Sequence, residues 1–118
     1  MPTTTRVTAL DFDGVTVIRF LEPRLFDERI VREVGEQIHA AIPAEGPPVR
    51  LVLDFSGVEL ISSSFLGKLV LLQRRVEGAG GKFRLCEMTP TVQGVFRTSN
   101  LDRLFGVDRD LREAMEHV

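Results

Sequence analysis

The run Val49 to Phe55, VRLVLDF, is a nearly continuous apolar stretch of strand length. A strand of that kind is buried on both sides, which requires a sheet with helices packed above and below it. The rest of the chain must supply those layers, and this run is read as the central strand.

Periodicity supplies them. Val7 to Phe12 and Val15 to Phe20 are short β-prone runs separated by Asp13-Gly14, a dipeptide suited to the positive backbone angles of a type I′ turn, and they read as a hairpin. From Asp27 onward Ile30, Val31, Val34, Ile38, Ala41 and Ile42 recur at three- and four-residue spacing, which predicts an amphipathic helix. Pro43 and Gly46 end it. A second helix is predicted from about Ser64 to Glu77, with Leu66, Leu69, Val70 and Val76 toward the sheet, Lys68, Arg74 and Arg75 toward water, and Gly78, Gly80 and Gly81 as its stop. Lys82 to Cys86 reads as the next strand. Thr89-Pro90 opens a short third helix lined by Val92, Val95 and Phe96 and fading near Asn100. Leu104 to Val107 reads as a short last strand, and Asp108 is expected to cap a final helix carrying Leu111, Ala114, Met115 and Val118. Strands separated by helices pair in parallel through right-handed crossovers. The expected fold is therefore a single α/β domain over residues 1–118, with a mixed sheet of four to five strands, an N-terminal antiparallel hairpin and about four helices.

Composition narrows the chemistry. A formal net charge of -2, with basic residues scattered among acids, argues against nucleic acid as a partner. One cysteine, Cys86, cannot form an internal disulfide and reads as a small buried hydrophobe. No apolar run approaches 18 residues and no charged-then-apolar leader opens the chain, so a cytoplasmic protein without membrane insertion is expected. There is no glycine-rich phosphate loop, no HExxH and no GxSxG elbow. His39 and His117 fall on or near polar helix faces and read as solvated residues, which leaves no base for a nucleophile and no ligand set for a metal. Catalytic residues, metal and cofactors are all expected to be none.

What remains is Ser62-Ser63-Ser64 at the start of the second helix. Two readings stand side by side. A serine there is a favoured N-cap, because its hydroxyl accepts a bond from an unpaired amide of the first turn. Three in a row exceed what capping needs, and a helix N-terminus stabilises an anion, so a phosphate could be carried at the same place. Phe65 likewise either folds inward with the helix's apolar face or stands out as a contact.

The sequence LVLDF, SGVELI, SSSFLGKLVLLQRRV and GGKFRLCEMTPTVQGVFRTSNLDRLFGV resembles a STAS domain, the fold of bacterial anti-sigma-factor antagonists. The resemblance covers nearly the whole chain. It rests on the apolar strand before the loop, Leu66-Gly67 one turn into the helix, the Gly80-Gly81 turn, the Pro-initiated helix with Val95-Phe96, and the SNLDRLF ending. In that family the loop usually reads Asp-Ser-Ser/Thr-Gly-Leu-Gly, and the serine after the Asp is phosphorylated by a partner kinase that is also the anti-sigma factor. The resemblance thus implies a non-catalytic regulatory module and a GHKL-type serine kinase and anti-sigma factor as partner. It makes Ser63 the phosphoacceptor, with Ser62 and Ser64 as lesser candidates, and gives a partner-binding patch of Ser62, Ser63, Ser64, Phe65 and Lys68. Ser62 stands where the family has Asp, and Phe65 where it has Gly. Those departures keep two alternatives in view: a non-switching STAS adaptor in a signalling assembly, or a soluble subunit of a lipid transporter. A small serine hydrolase using Ser63 is the enzyme reading.

Overall fold

The computed structural model describes residues 3–118. Its elements run β1 (Val7–Phe12), β2 (Val15–Phe20), β3 (Arg24–Leu25), α1 (Glu28–Ala41), β4 (Arg50–Asp54), β5 (Leu60–Ile61), α2 (Ser63–Gly78), β6 (Lys82–Cys86), α3 (Pro90–Thr98), β7 (Gly106–Asp108) and α4 (Leu111–His117). The main sheet has the order β1-β2-β4-β6-β7, antiparallel between β1 and β2 and parallel elsewhere. The expected mixed α/β architecture is thus realised, and β4 is its middle strand.

The double burial of that strand is literal. Leu51, Val52 and Leu53 are all 0% exposed. Leu51 and Leu53 join the larger core beneath α1, α2 and α3, whereas Val52 joins a smaller one with Val15, Val17, Cys86, Ala114 and Val118 against α4. Alternate side chains of one strand therefore serve two separate cores.

Local chemistry sets the boundaries. Asp13 and Gly14 both adopt positive φ, 52° and 77°, as a type I′ turn requires. Asp27 caps α1 through bonds from the Arg29 and Ile30 amides, and Thr89 caps α3 ahead of Pro90. Gly81 allows β6 to start hard against its neighbours: a Cβ there would lie 2.3 Å from the Val49 carbonyl oxygen.

Three features depart from expectation. A second, two-stranded parallel sheet pairs β3 with β5, and segments of two residues carry no periodicity by which to be recognised. The last strand is Gly106–Asp108, two residues on from the expected start. Leu104 lies outside it, and its carbonyl accepts a bond from Gln73 Nε2 at 2.6 Å. The third concerns Asp108, which does not cap the final helix; Asp110 does, by accepting from the Glu113 amide. Asp108 is instead buried at the end of β7, where it accepts bonds from Arg84 Nε at 2.7 Å and Nη2 at 2.9 Å and meets His117 Nδ1 at 2.5 Å. The Arg84 guanidinium reaches it by crossing Gly106, where any Cβ would stand 2.1 Å from Arg84 Nη1. His117 is thus half-exposed and tied to α4's docking, not freely solvated.

Burial alone would raise the Asp108 pKa. The bonds from Arg84 and His117, with their positive charges, outweigh it and hold the carboxyl below its ordinary range. A carboxyl depressed in the folded state contributes stability that is present above its unfolded pKa and is lost as pH falls through the folded value. Asp108→Asn should therefore destabilise the domain by about 1.5–3 kcal/mol at neutral pH. Urea melts across pH should show that deficit shrinking as the solution is acidified below the ordinary carboxylate range.

Candidate functional site

The N-terminus of α2 sits at the end of a path that begins in β4. Asp54, 1% exposed, closes that strand by accepting bonds from Arg19 Nε at 2.9 Å and from Ser56, N at 2.9 Å and Oγ at 2.6 Å. The chain then turns at Gly57, with φ 82°. β5 lies along β3, and the Glu59, Leu60 and Ser62 amides donate to the carbonyls of Pro23 and Leu25. The loop ahead of α2 is therefore stitched to the segment that leads into α1. Backbone bonding on this scale removes most of the freedom an exposed loop would otherwise have.

Ser62 is the N-cap, and its Oγ accepts from the Phe65 amide at 3.1 Å. Ser63 follows as the first helical residue, exposed, and its hydroxyl has no hydrogen-bond partner among the described residues. Ser64 is half-buried, and its Oγ donates a long bond of 3.5 Å to Glu28 Oε2. Phe65 is 1% exposed, packed edge-on against Phe20 and Phe55 with centroids 5.8 and 6.2 Å away. Such edge-to-face packing fixes the helix start as firmly as the cap does. Lys68 is exposed, one turn beyond Ser64, and its stem lies across α1: a Cβ on Gly35 would be 3.2 Å from Lys68 Cδ.

The five residues expected as one contact patch are thus divided. Ser63, Ser64 and Lys68 share the accessible surface; Ser62 and Phe65 are turned inward. Ser62 is withdrawn because a capping hydroxyl must point back at its own helix, and Phe65 because three phenyl rings bury more apolar area together than apart. Gly35 and Glu28 complete the surroundings of the site without having been singled out. A glycine inside a predicted helix was the available signal for the close α1–α2 approach.

The backbone at this helix end favours an anion, and the Glu28 carboxylate beside Ser64 opposes one on that side. No acidic residue occupies the first turn of α2, the Phe65 amide is capped and the Leu66 amide donates to the Ser62 carbonyl. The Ser63 and Ser64 amides have no acceptor among the described residues. Unpaired amides at the positive end of a helix dipole are the arrangement that holds phosphate.

Other polar groups are engaged elsewhere. His39 contacts Arg75, and burial, then the charges of Arg75 and Lys68, keep its pKa below the usual histidine value. Burial, with Asp54 nearby, pushes the Cys86 thiol up to about 12, so it stays protonated and inert near neutral pH. Asp108, Glu113 and His117 bring ligand-type atoms within 4.8 Å of one another, but both Asp108 oxygens are already engaged by Arg84 and His117. That cluster is an ion-pair clasp holding α4.

The family model described as Mlab, STAS domain, matches residues 25–112. A Thermotoga maritima protein assigned to the anti-sigma factor antagonists is 35% identical over 69 residues, which are 58% of this chain and 61% of that protein's length. Among solved structures, a STAS-domain protein from Planctomyces limnophilus superposes with TM-score 0.83 at 26% identity, covering 94% of this chain and 96% of that one. An anti-sigma factor antagonist from Mycobacterium paratuberculosis superposes with TM-score 0.81, also at 26% identity, covering 95% and 92%.

Because the Ser62 hydroxyl caps α2, Ser62→Ala should cost about 0.5–2 kcal/mol. Ser62→Asp, which restores an equally good capping oxygen, should melt within a few tenths of a kcal/mol of the parent. Chemical denaturation of the two variants checks both figures.

Proposed function

The chain belongs to the STAS domain family, and on that premise we propose that it is a non-catalytic regulatory protein-binding module of the anti-sigma-factor-antagonist kind, switched by phosphorylation of Ser63. The proposed partner is a GHKL-type serine kinase that is also the anti-sigma factor, and the proposed place of action is the cytoplasm. ATP belongs to the kinase; this chain needs no cofactor. One observation carries the reading: Ser63 is the exposed hydroxyl at the first position of α2, without a partner among the described residues, between a serine spent on capping and a phenylalanine spent on the core.

The physical sequence of the switch follows from that placement. A kinase can reach the Ser63 hydroxyl without unfolding the loop, because the residues on either side hold the backbone in place. The phosphate adds roughly -1.5 to -2 charges. The helix dipole and the free amides of the first turn stabilise it where it forms, so the domain keeps its fold and only its surface changes. A partner surface that accepted a neutral hydroxyl beside Ser64 and Lys68 then meets a desolvated dianion, and the complex dissociates. Ser62 and Ser64 are weaker acceptors on the same grounds, the first buried as a cap and the second beside the Glu28 carboxylate.

A second reading is favoured by the same two departures from the family loop. With Ser62 for Asp and Phe65 for Gly, the surface could serve as a constant contact in a signalling assembly or in the soluble part of a lipid transporter, with no phosphate involved. The two readings separate cleanly. Incubation with the GHKL kinases of the host and ATP should place one phosphate on Ser63 by mass spectrometry, and none on Ser63→Ala. Ser63→Asp should lose kinase binding at least about tenfold, equivalent to about 1.4 kcal/mol. Equal binding by wild type and Ser63→Asp, with Ser62 to Ser64 all unmodified, would sink the switch and leave the constant-contact reading.

A further inference from the structure

The two edges of the main sheet are treated differently. β7, at one edge, is three residues long. β1, at the other, is six residues long, and only its first residue is buried. Edge strands are normally guarded by shortness, by Pro or Lys, or by a covering element. Within VTALDF there is neither Pro nor Lys, and Leu10 and Phe12 are 63% and 57% exposed.

Which backbone groups this edge offers follows from the hairpin register. The Leu21 amide donates to the Arg6 carbonyl, and Phe12 pairs with Val15, Leu10 with Val17 and Thr8 with Arg19. The even-numbered residues of β1 therefore exchange bonds with β2, and the amides and carbonyls of Val7, Ala9 and Asp11 point outward. Gln37 of α1 closes one end, its Oε1 accepting from the Arg6 and Val7 amides at 2.7 and 3.2 Å. From the Val7 carbonyl to Asp11 no side chain among the described residues covers the edge.

We propose that this edge pairs with the same edge of a second copy, antiparallel and centred on Ala9, so that the two sheets become one. Ala9 exchanges both of its bonds with Ala9 of the second copy, and each Asp11 amide donates to the Val7 carbonyl opposite. Every uncovered donor of the edge is then used. Charge agrees with the direction. Arg6 at the start of the strand is already paired with Glu22 and Glu33, so charge selects the direction through Asp11: parallel pairing would stack Asp11 on Asp11, and antiparallel pairing keeps the two apart. Residues opposite one another in a sheet share a face, which brings each Leu10 beside Thr8 of the other copy. There it borders a hollow of about 410 Å³ lined by Leu10, Phe12, Val17, Arg19, Leu111 and Met115, and the hollows of both copies meet on the α4 side of the joined sheet. Ser63 lies on α2, which follows the central strand, and takes no part in the contact.

The test uses the full chain and its own association. Sedimentation velocity over a concentration series should show wild type passing from monomer to dimer. Ala9→Pro removes an outward amide and spares the β1–β2 ladder, and Leu10→Lys sets a charge beside the two-fold; each should abolish the dimer while far-UV circular dichroism stays native. In wild type, hydrogen exchange at the Ala9 and Asp11 amides should slow as concentration rises, and this reading decides the matter alone should either variant misfold. A wild type that stays monomeric at its highest soluble concentration overturns the proposal. So does a dimer that survives both substitutions, or amides at Ala9 and Asp11 whose exchange ignores concentration. None of these measurements depends on phosphorylation, so the switch and the dimer fail independently.

Discussion

Burial of β4 on both faces is the constraint from which the rest of the molecule follows. A strand with Leu51 and Leu53 on one side and Val52 on the other cannot face water on either. It therefore needs neighbours in the sheet and helices above and below. Crossover handedness puts α1, α2 and α3 over one face, and the short α4 closes the other. Since β4 is central and its crossover helix is α2, the turn between them emerges in the middle of the helical layer's end. The site is where it is because the central strand is where it is.

That turn is rigid for reasons that differ residue by residue. Asp54 binds Ser56 and Arg19, β5 holds to β3, Ser62 caps the helix, and Phe65 locks into a three-ring cluster with Phe20 and Phe55. One residue, Ser63, is left without an assignment. A hydroxyl held in place by everything around it, yet bonded to nothing among the described residues, suits a modification that alters surface charge while sparing the fold. The departures from the family loop fit this view: Ser62 takes over capping without a carboxylate, and Phe65 trades the space of a glycine for core packing.

Most elements were readable before any coordinates because each rests on interactions within a few residues of itself. Hairpin, helices and inner strands carry period-2 or period-3.6 patterns with Asp13-Gly14, Asp27 and Thr89-Pro90 as punctuation, and these fell where expected. The misplacements share a cause. Asp108 has the look of a helix cap, since an acidic residue precedes an amphipathic run, but Arg84 lies 24 residues away in sequence and claims its carboxylate. Once Asp108 is drawn into the sheet, β7 moves with it and the capping passes to Asp110. The β3–β5 bridge was invisible for a similar reason: two residues have no period, and their pairing depends on Pro23 and Leu25 being brought alongside by the larger fold.

At the site the division is equally sharp. The sequence alone determined that three serines stand at the start of an amphipathic helix behind a doubly buried strand, because apolar patterning and helix-start chemistry are local. It could not apportion their roles. Capping, exposure and proximity to Glu28 depend on φ, on the register of β5 against β3, and on how closely Gly35 lets α1 approach α2. Only the tertiary structure made Ser62 the cap, Ser63 the free hydroxyl and Phe65 part of the core, because each assignment is fixed by groups distant in the chain and adjacent only in the fold.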